Sequence, residues 1–211
     1  MVEMQKEFEV KEFSLDQWRT LWLEKPSLNY LTPSWNPEDS SAEAKLTVKM
    51  TPYTENYPTL RPHKIKVGFF KENGSADVVE ALLHPQEINE IPYNGSQGYK
   101  AILLNYEDHT FAKSNIDTTS RKFFTDNLHL IDDVLTRNLI WRSFFEMVKD
   151  VEITLPDFVE FLLKNIGKEK SDNIFERQFD LVLMAATQFV PLKFREDILN
   201  QMFDLLLQLI Q

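Results

Sequence analysis

Apolar side chains follow three different periods along the chain. In residues 13–24 they recur at the three- and four-residue spacing of an amphipathic helix, for which Ser14 is a suitable N-cap. Pro26 ends this predicted helix, and a loop rich in proline, serine and asparagine is expected from there to Ser41. The first part of the chain is therefore predicted to be a helix followed by a loop.

Between residues 44 and 105 apolar and polar positions alternate. The two clearest runs have their apolar members at Ala44, Leu46, Val48 and Met50, and at Ile65, Val67 and Phe69. Such alternation places one face of a strand on a core and the other in water, as in antiparallel sheets. Turn dipeptides at Asn73-Gly74 and Asn94-Gly95 separate the runs, although the serine after each also completes an N-glycosylation pattern. The favoured interpretation is tight turns within a small antiparallel β-sandwich.

From residue 117 onward the period is helical to the end of the chain. The expected N-caps are Asp117 or Thr118, Asp132 and Thr154, the last followed by a proline in the first turn. Gly167 is expected to close the helix that Thr154 begins, and Pro191 to separate the last two helices. Helices joined by such short loops predict an all-α array of antiparallel neighbours.

The last predicted helix, 194–210, carries apolar residues around much of its circumference. A helix with this pattern needs cover on more than one side. We therefore expect either that the array continues beyond Gln211 or that a partner protein covers the helix. The side chains predicted to contact a partner are Met202, Phe203, Leu206, Leu209 and Ile210.

Composition and charge exclude several classes of protein. The formal net charge is −10, spread along the chain, and an acidic surface repels phosphate backbones, so nucleic acid is not expected as a partner. No cysteine is present, which excludes disulfides, thiolate metal sites and thiol catalysis and fits a reducing compartment. The charged N-terminus lacks a secretory signal pattern, and no stretch approaches the roughly 18–20 apolar residues of a membrane span. These features predict a soluble protein, intracellular and cytoplasmic.

Residues that could carry chemistry are scattered. The four histidines, His63, His84, His109 and His129, form no H-E-x-x-H motif, and the first two are expected to be hydrogen-bonded structural residues. No G-x-S-x-G, glycine-rich phosphate loop or cysteine–histidine pair occurs. No catalytic residue and no metal ligand is predicted, and no cofactor is expected in this chain.

Arg61 and Arg137 lie among apolar residues, where a guanidinium could bind a ligand carboxylate through two hydrogen bonds. The favoured interpretation is that each pairs with a neighbouring acid and ties two elements together. Trp141, with Phe144 and Phe145, is similarly interpreted as a packing ridge rather than a ligand site.

Several segments, taken in order, also resemble one known family. They read WRTLWLE at 18–24, LRPHKIKVGF at 60–69, ILLNYEDHTFAK at 102–113 and DDVLTRNLIW at 132–141. Their order and spacing resemble the rear part of aminopeptidase N-type zinc peptidases along nearly the whole chain. The resemblance implies that 1–42 is the end of a catalytic domain, 43–113 a β-sandwich, and 114–211 the start of an α-superhelical C-terminal domain.

In that family a zinc ion held by H-E-x-x-H and a downstream glutamate activates water, and a G-x-M-E-N segment holds the substrate's amino terminus. Neither motif occurs here, so no catalytic or zinc-binding residue is carried over, and activity of this chain alone is not expected. The resemblance implies a non-catalytic role, in which the sandwich is a spacer and the helical domain closes over the peptide chamber.

The family's helical domain is longer than this one, so the chain is expected to be cut at both ends. It would then be a fragment, or a split subunit whose catalytic half is a separate partner, and peptide substrate would bind only to the full enzyme. The alternative is a free-standing, degenerate relative that acts as a scaffold or as a subunit of a larger assembly.

Overall fold

A computed structural model describes residues 14–188 and 192–210. The strands are β1 Asn29–Ser34, β2 Ala44–Pro52, β3 His63–Phe70, β4 Ala76–Leu83, β5 Ile88–Tyr93, β6 Ala101–Leu104 and β7 Ala112–Ser114. The helices are α1 Leu15–Arg19, which continues as a π-helical turn over Thr20–Glu24, α2 Thr118–Asn127, α3 Val134–Lys149, α4 Leu155–Asn165, α5 Asp172–Gln188 and α6 Leu192–Ile210. The predicted fold class, a β-sandwich followed by a helical array, is confirmed.

The strands form two sheets that share a core. The first has the order β5-β2-β1-β7 and the second β4-β3-β6, and neighbours are antiparallel except β1 and β7, which run parallel. Alternate residues point inward and are fully buried, as Leu46, Val48 and Met50 are in β2. The outward positions include lysines that pair with glutamates on the neighbouring strand, as in Lys45–Glu90.

The segment predicted as a loop after the first helix is a strand of the sandwich over Asn29–Ser34, so that prediction is wrong. Leu31 is fully buried and lies opposite Met50 of β2, which makes the segment part of the core. Pro33 is compatible with the strand because β7 pairs only with residues 29–31, and no ladder hydrogen bond is needed from Pro33 on that side. Strand β1 thus precedes the residue at which the sandwich is predicted to begin.

Helix starts follow the capping rules used to predict them. At three predicted starts the side chain of the N-cap accepts a hydrogen bond from the first turn, and these are Ser14, Asp117 and Thr154. The fourth prediction is wrong by one residue, because the carboxylate of Asp133, not Asp132, accepts from the N–H of Thr136. The prediction that Gly167 caps α4 is also wrong, since Gly167 lies within a 3-10 turn over Ile166–Lys168.

The helices pack against the three-stranded sheet through one continuous core. Phe70 at the end of β3 meets Phe124 of α2 edge-on, with ring centroids 5.1 Å apart. On the sandwich side this core contains Phe70, Ala101, Leu103 and Ile116. A buried hydrogen bond of 2.8 Å from the N–H of Ile102 to the hydroxyl of Ser120 adds a polar tie between β6 and α2.

The predicted packing ridge on α3 is confirmed. Trp141 is fully buried against Phe161 of α4, and Phe144 stacks on the same ring with centroids 3.7 Å apart. Phe145 lies beside Phe158, also of α4, so the aromatic side chains hold the two helices side by side. In the part of the chain that the structure describes, no helix has the length and apolar character needed to cross a membrane.

Val151, just after α3, combines two unfavourable features. Its φ of 61° lies in the left-handed region, which costs a residue with a β-carbon about 1–2 kcal/mol. Its side chain is 87% exposed, so little packing offsets this cost. The N–H of Glu152 donates to the carbonyl of Met147 across the reversal, at a position where helices usually carry glycine.

Replacing this valine with glycine (Val151→Gly) is expected to stabilise the protein by about 1 kcal/mol, because backbone strain is relieved and no packed side chain is lost. For a chain of this size the midpoint of thermal unfolding should rise by about 2–4 °C. The matched control is Val78→Gly in β4, where the valine is 43% exposed but the backbone is extended, and there the midpoint should fall. A lower midpoint for Val151→Gly would show that the reversal is not strained.

Candidate functional site

Helix α6, predicted to contact a partner, presents apolar side chains to solvent. Phe203 is 59% exposed, and Leu207, one turn further along the helix, is 44% exposed. The side chains of the other predicted contact residues, Met202, Leu206, Leu209 and Ile210, lie outside the described part of the structure. Phe203 occupies an accessible position, and the partner contact stays a prediction.

His63 is buried and hydrogen-bonded, as predicted. Its Nε2 lies 3.0 Å from Oδ1 of Asn29, and its Nδ1 lies 2.8 Å from the hydroxyl of Thr110. Because an amide oxygen only accepts, Nε2 carries the proton and Thr110 donates to Nδ1. Burial, together with the nearby Arg61 cation, lowers the pKa of His63 to about 4, so the ring is neutral at neutral pH.

The other histidines lie apart from His63 and from one another. His109 pairs with Glu107 at the surface, 3.0 Å away, while His84 follows β4 and His129 lies in a 3-10 turn after α2. Across residues 14–188 and 192–210, no three histidine or acidic side chains are placed to share a metal ion.

Arg61 is held by carbonyl oxygens, so the prediction that it pairs with a neighbouring acid is wrong. Its buried guanidinium donates to the carbonyls of Leu21, Lys25 and Pro26 at 2.8–2.9 Å. These oxygens end the helical turn after α1, where unpaired carbonyls carry partial negative charge. The guanidinium carbon also lies 5.6 Å from the centroid of the Trp22 ring. Arg61 therefore fastens the N-terminal helix to the sandwich.

Arg137 pairs with a neighbouring acid, as predicted. Its Nη2 and Nε contact the two carboxylate oxygens of Glu169 at 2.7 and 3.1 Å, and Nη1 donates to the carbonyl of Ile131. The two side chains are only 6% and 1% exposed. Although burial alone would raise it, hydrogen bonds from Arg137 and from the N–H of Ser171 hold the pKa of Glu169 below its ordinary value. The pair ties the start of α3 to the segment after α4.

A group of four residues, the junction cluster, connects β7 to α3. The ammonium of Lys113 lies 2.7 Å from Glu146 and 2.8 Å from Asp150 at the end of α3, and 4.4 Å from the centroid of the Tyr53 ring. The side chains of Lys113 and Asp150 are each 17% exposed, so water screens their attraction less than it would at the surface. Although burial lowers it, hydrogen bonds to Asp150 and Glu146 raise the pKa of Lys113 above its ordinary value.

A cleft of about 440 Å³ lies beside the junction cluster, between β7 and α3. Its sandwich wall is the segment 108–115, and its helix wall is formed by Arg142, Ser143, Glu146 and Met147. Arg142 and Asp108 form an ion pair with two contacts, at 2.9 and 3.2 Å. The volume is that of a small-molecule or short-peptide site, which makes this cleft the candidate functional site.

No cleft residue is identified as functional from the sequence. The reason is that β7 has only three residues, and its pairing joins positions far apart in the chain, such as Tyr30 and Lys113. The one local feature is Lys113, which lies in the short segment that leaves the sandwich. Its carboxylate partners are at the end of α3, more than thirty residues later in the sequence.

Comparison with known proteins relates the chain to aminopeptidases. Aminopeptidase N from Streptomyces lividans is 26% identical in an alignment 197 residues long, which covers 89% of this chain and 23% of that protein. Among solved structures, Legionella pneumophila aminopeptidase A in complex with aspartic acid matches 86% of this chain and 23% of that chain, with 14% identity and a TM-score of 0.40. No family model matches. The sequence match confirms the predicted resemblance to the C-terminal portion of an aminopeptidase N-type peptidase, and the chain spans less than a quarter of its relative's length.

Removing the cation of the buried ion pair, with Arg137→Met, should lower the free energy of unfolding by about 3–5 kcal/mol, because it leaves the Glu169 carboxylate buried and unpaired. Adding Glu169→Gln to this variant should recover part of the loss, because no buried charge then remains. Urea denaturation measures both changes.

The matched control is Arg142→Met. Arg142 and Asp108 are 44% and 37% exposed, so losing their ion pair should cost about 1 kcal/mol or less. Equal losses for the two arginine variants would contradict the importance assigned to burial.

Proposed function

We propose that this chain acts as the non-catalytic sandwich-and-helix portion of an aminopeptidase N-like zinc peptidase. In this role the sandwich is a spacer, and the helical array closes over the chamber that holds the peptide. Hydrolysis and recognition of the substrate's amino terminus belong to a catalytic portion. The sequence relationship to Streptomyces lividans aminopeptidase N over 89% of the chain supports this assignment.

The observation that carries the proposal is that three parts of the chain are fastened to one another. Arg61 holds the end of α1 on the sandwich, and Lys113 holds α3 on the edge of the same sandwich. Between them, the contact of Phe70 with Phe124 lies in a core common to the sheet and the helices. Close-packed elements tied in this way keep a fixed geometry, which a spacer between a catalytic portion and a helical lid requires.

The outer faces of the sandwich support the spacer role. They carry cross-strand ion pairs whose side chains are all more than half exposed, namely Lys45–Glu90, Lys49–Glu87 and Lys64–Glu80. Such pairs are hydrated and contribute little to stability, and a dense set of charges is typical of a surface that faces water. Contacts with a catalytic portion would then fall on α1, on the cleft or on α6.

Zinc enters the proposal only through the catalytic portion. The donor set of residues 14–188 and 192–210 does not fit the metal, because the histidines lie on separate elements and no three candidate ligands come together. No zinc-dependent step is therefore assigned to this chain.

A chimera tests the proposal. The segment of Streptomyces lividans aminopeptidase N that aligns with this chain over 197 residues is replaced by the chain itself. Hydrolysis of an aminoacyl-arylamide should survive the exchange and should be lost when the segment is deleted, because the spacer and lid position the chamber. In the chimera, Lys113→Met should lower kcat/KM about tenfold, since α3 is no longer fastened to β7.

Lys45→Met is the matched control, because this lysine forms an exposed ion pair on the outer face of the sandwich. Its kcat/KM should equal that of the parent chimera, and circular dichroism should show that every chimera is folded. A folded chimera without hydrolysis would overturn the proposal. Equal kcat/KM in the two lysine variants would show that the junction cluster does not position the helices.

A second function, as a scaffold or subunit that works without a catalytic portion, is favoured by one observation. Leu192, Phe203 and Leu207 of α6 are 80%, 59% and 44% exposed, and apolar side chains grouped on one helix are typical of a contact surface. The chimera distinguishes the two functions, because a scaffold gives no reason for hydrolysis to depend on the chain.

A further inference from the structure

The cleft between β7 and α3 is lined by two neutral side chains, Asn115 and Ser143, each with a hydrogen-bonding group that has no partner among the described residues. Asn115 is 7% exposed, and its Oδ1 accepts from the hydroxyl of Tyr30 at 2.6 Å, but its Nδ2 has no partner among the described groups. Ser143, on the opposite wall, is 9% exposed, and its hydroxyl likewise has none. Neither atom is sealed from solvent, so both are open to hydrogen bonding by a molecule that enters the cleft.

The main chain of β7 adds further free groups. In the parallel pairing with β1, Lys113 lies opposite Tyr30, and the N–H of Asn115 donates to the carbonyl of Leu31 at 2.9 Å. Because alternate residues of a strand direct their main-chain groups to opposite sides, the N–H and C=O of Ser114 point away from β1. Among the described strands β7 is the last of its sheet, so Ser114 presents an open strand edge to the cleft.

The charges of the cleft favour an uncharged ligand. Lys113 is paired with Glu146 and Asp150, Glu146 is also paired with Lys149, and Arg142 is paired with Asp108, so a charged ligand would have to break one of these pairs. The groups left without a partner in the cleft are neutral: the main-chain N–H and C=O of Ser114 and the side chains of Asn115 and Ser143. The main chain of an extended peptide carries the complementary donors and acceptors. Phe111, immediately before β7 and 70% exposed, offers an apolar surface to a peptide side chain.

We propose that the cleft binds a short, extended peptide, which adds to β7 as a further strand. Ser114 exchanges main-chain hydrogen bonds with the peptide, Asn115 and Ser143 bind its remaining amide groups, and Phe111 packs against one of its side chains. A volume of about 440 Å³ suits a few residues of peptide rather than a folded partner. The source of the peptide, among the peptides that an aminopeptidase hydrolyses, rests on the proposed function. The addition of a strand to β7 does not depend on that function.

Peptide binding to the complete chain tests the proposal. The probe is a pentapeptide of alternating threonine and valine, acetylated and amidated so that it carries no charge. Its matched control is the same peptide N-methylated at the central residue, which removes one main-chain donor. Calorimetry should give a dissociation constant of about 1 mM or below for the probe and at least about tenfold weaker binding for the control. In ¹⁵N spectra the amide of Ser114 should shift on titration.

Two variants locate the site. Ser114→Pro removes the N–H that faces the cleft and leaves the hydrogen bonds to β1 in place, while Ser143→Leu fills the cleft from the helix wall. Each should weaken probe binding at least about tenfold, and Asn138→Leu, on the same helix but not in the cleft, should not. If Ser114→Pro does not fold, the N-methylated peptide still tests whether binding depends on main-chain hydrogen bonds between the peptide and β7.

Absence of binding up to about 10 mM probe would overturn the proposal, as would equal binding of the N-methylated peptide or undiminished binding by Ser143→Leu. None of these measurements involves hydrolysis. A failure here therefore leaves the spacer function standing, and an inactive chimera leaves the peptide site standing.

Discussion

The contact between the three-stranded sheet and α2 is where the sandwich joins the core of the helical array. Phe70 ends β3 and packs edge-on against Phe124, and the Ser120 hydroxyl accepts the N–H of Ile102 on the edge strand β6. Without that hydroxyl, the N–H would be buried and unpaired, which costs about 1–3 kcal/mol. The core that begins at this contact continues through α2, α3 and α4, so sheet and helices are packed as one body.

Two polar ties complete this body, and they use different chemistry. Arg61 binds carbonyl oxygens at the end of a helical turn, so its charge is met by backbone partial charges. Lys113 binds two carboxylates, those of Glu146 and Asp150, at the end of α3. Water screens these attractions little because all three side chains are largely buried. The cleft lies next to the second tie, where the edge of β7 that faces α3 has no partner strand within residues 14–188 and 192–210. The same short strand therefore joins the two parts of the chain and offers the proposed peptide site.

Features set by neighbouring residues could be predicted from the sequence, and features set by distant pairing could not. The caps at Ser14 and Asp117 depend on residues two or three positions away, and the strands with strict alternation depend on their own pattern. Strand β1 could not be recognised from the sequence because it contains Pro33, and a proline argues against a strand. The structure accommodates Pro33 because β7 pairs only with residues 29–31. The partners of Arg61 and the whole cleft arise from contacts between segments far apart in the chain, for which a single sequence carries no local signal.

The rigid connection between sandwich and helices is the central claim, and a distance measurement tests it most directly. The chain has no cysteine, so cysteines introduced at the exposed Glu80 of β4 and Glu160 of α4 would be the only sites for spin labels. Pulsed electron paramagnetic resonance should then give one narrow distance distribution between the two labels. A broad or two-peaked distribution would contradict the claim, because it would show that the helices move relative to the sandwich.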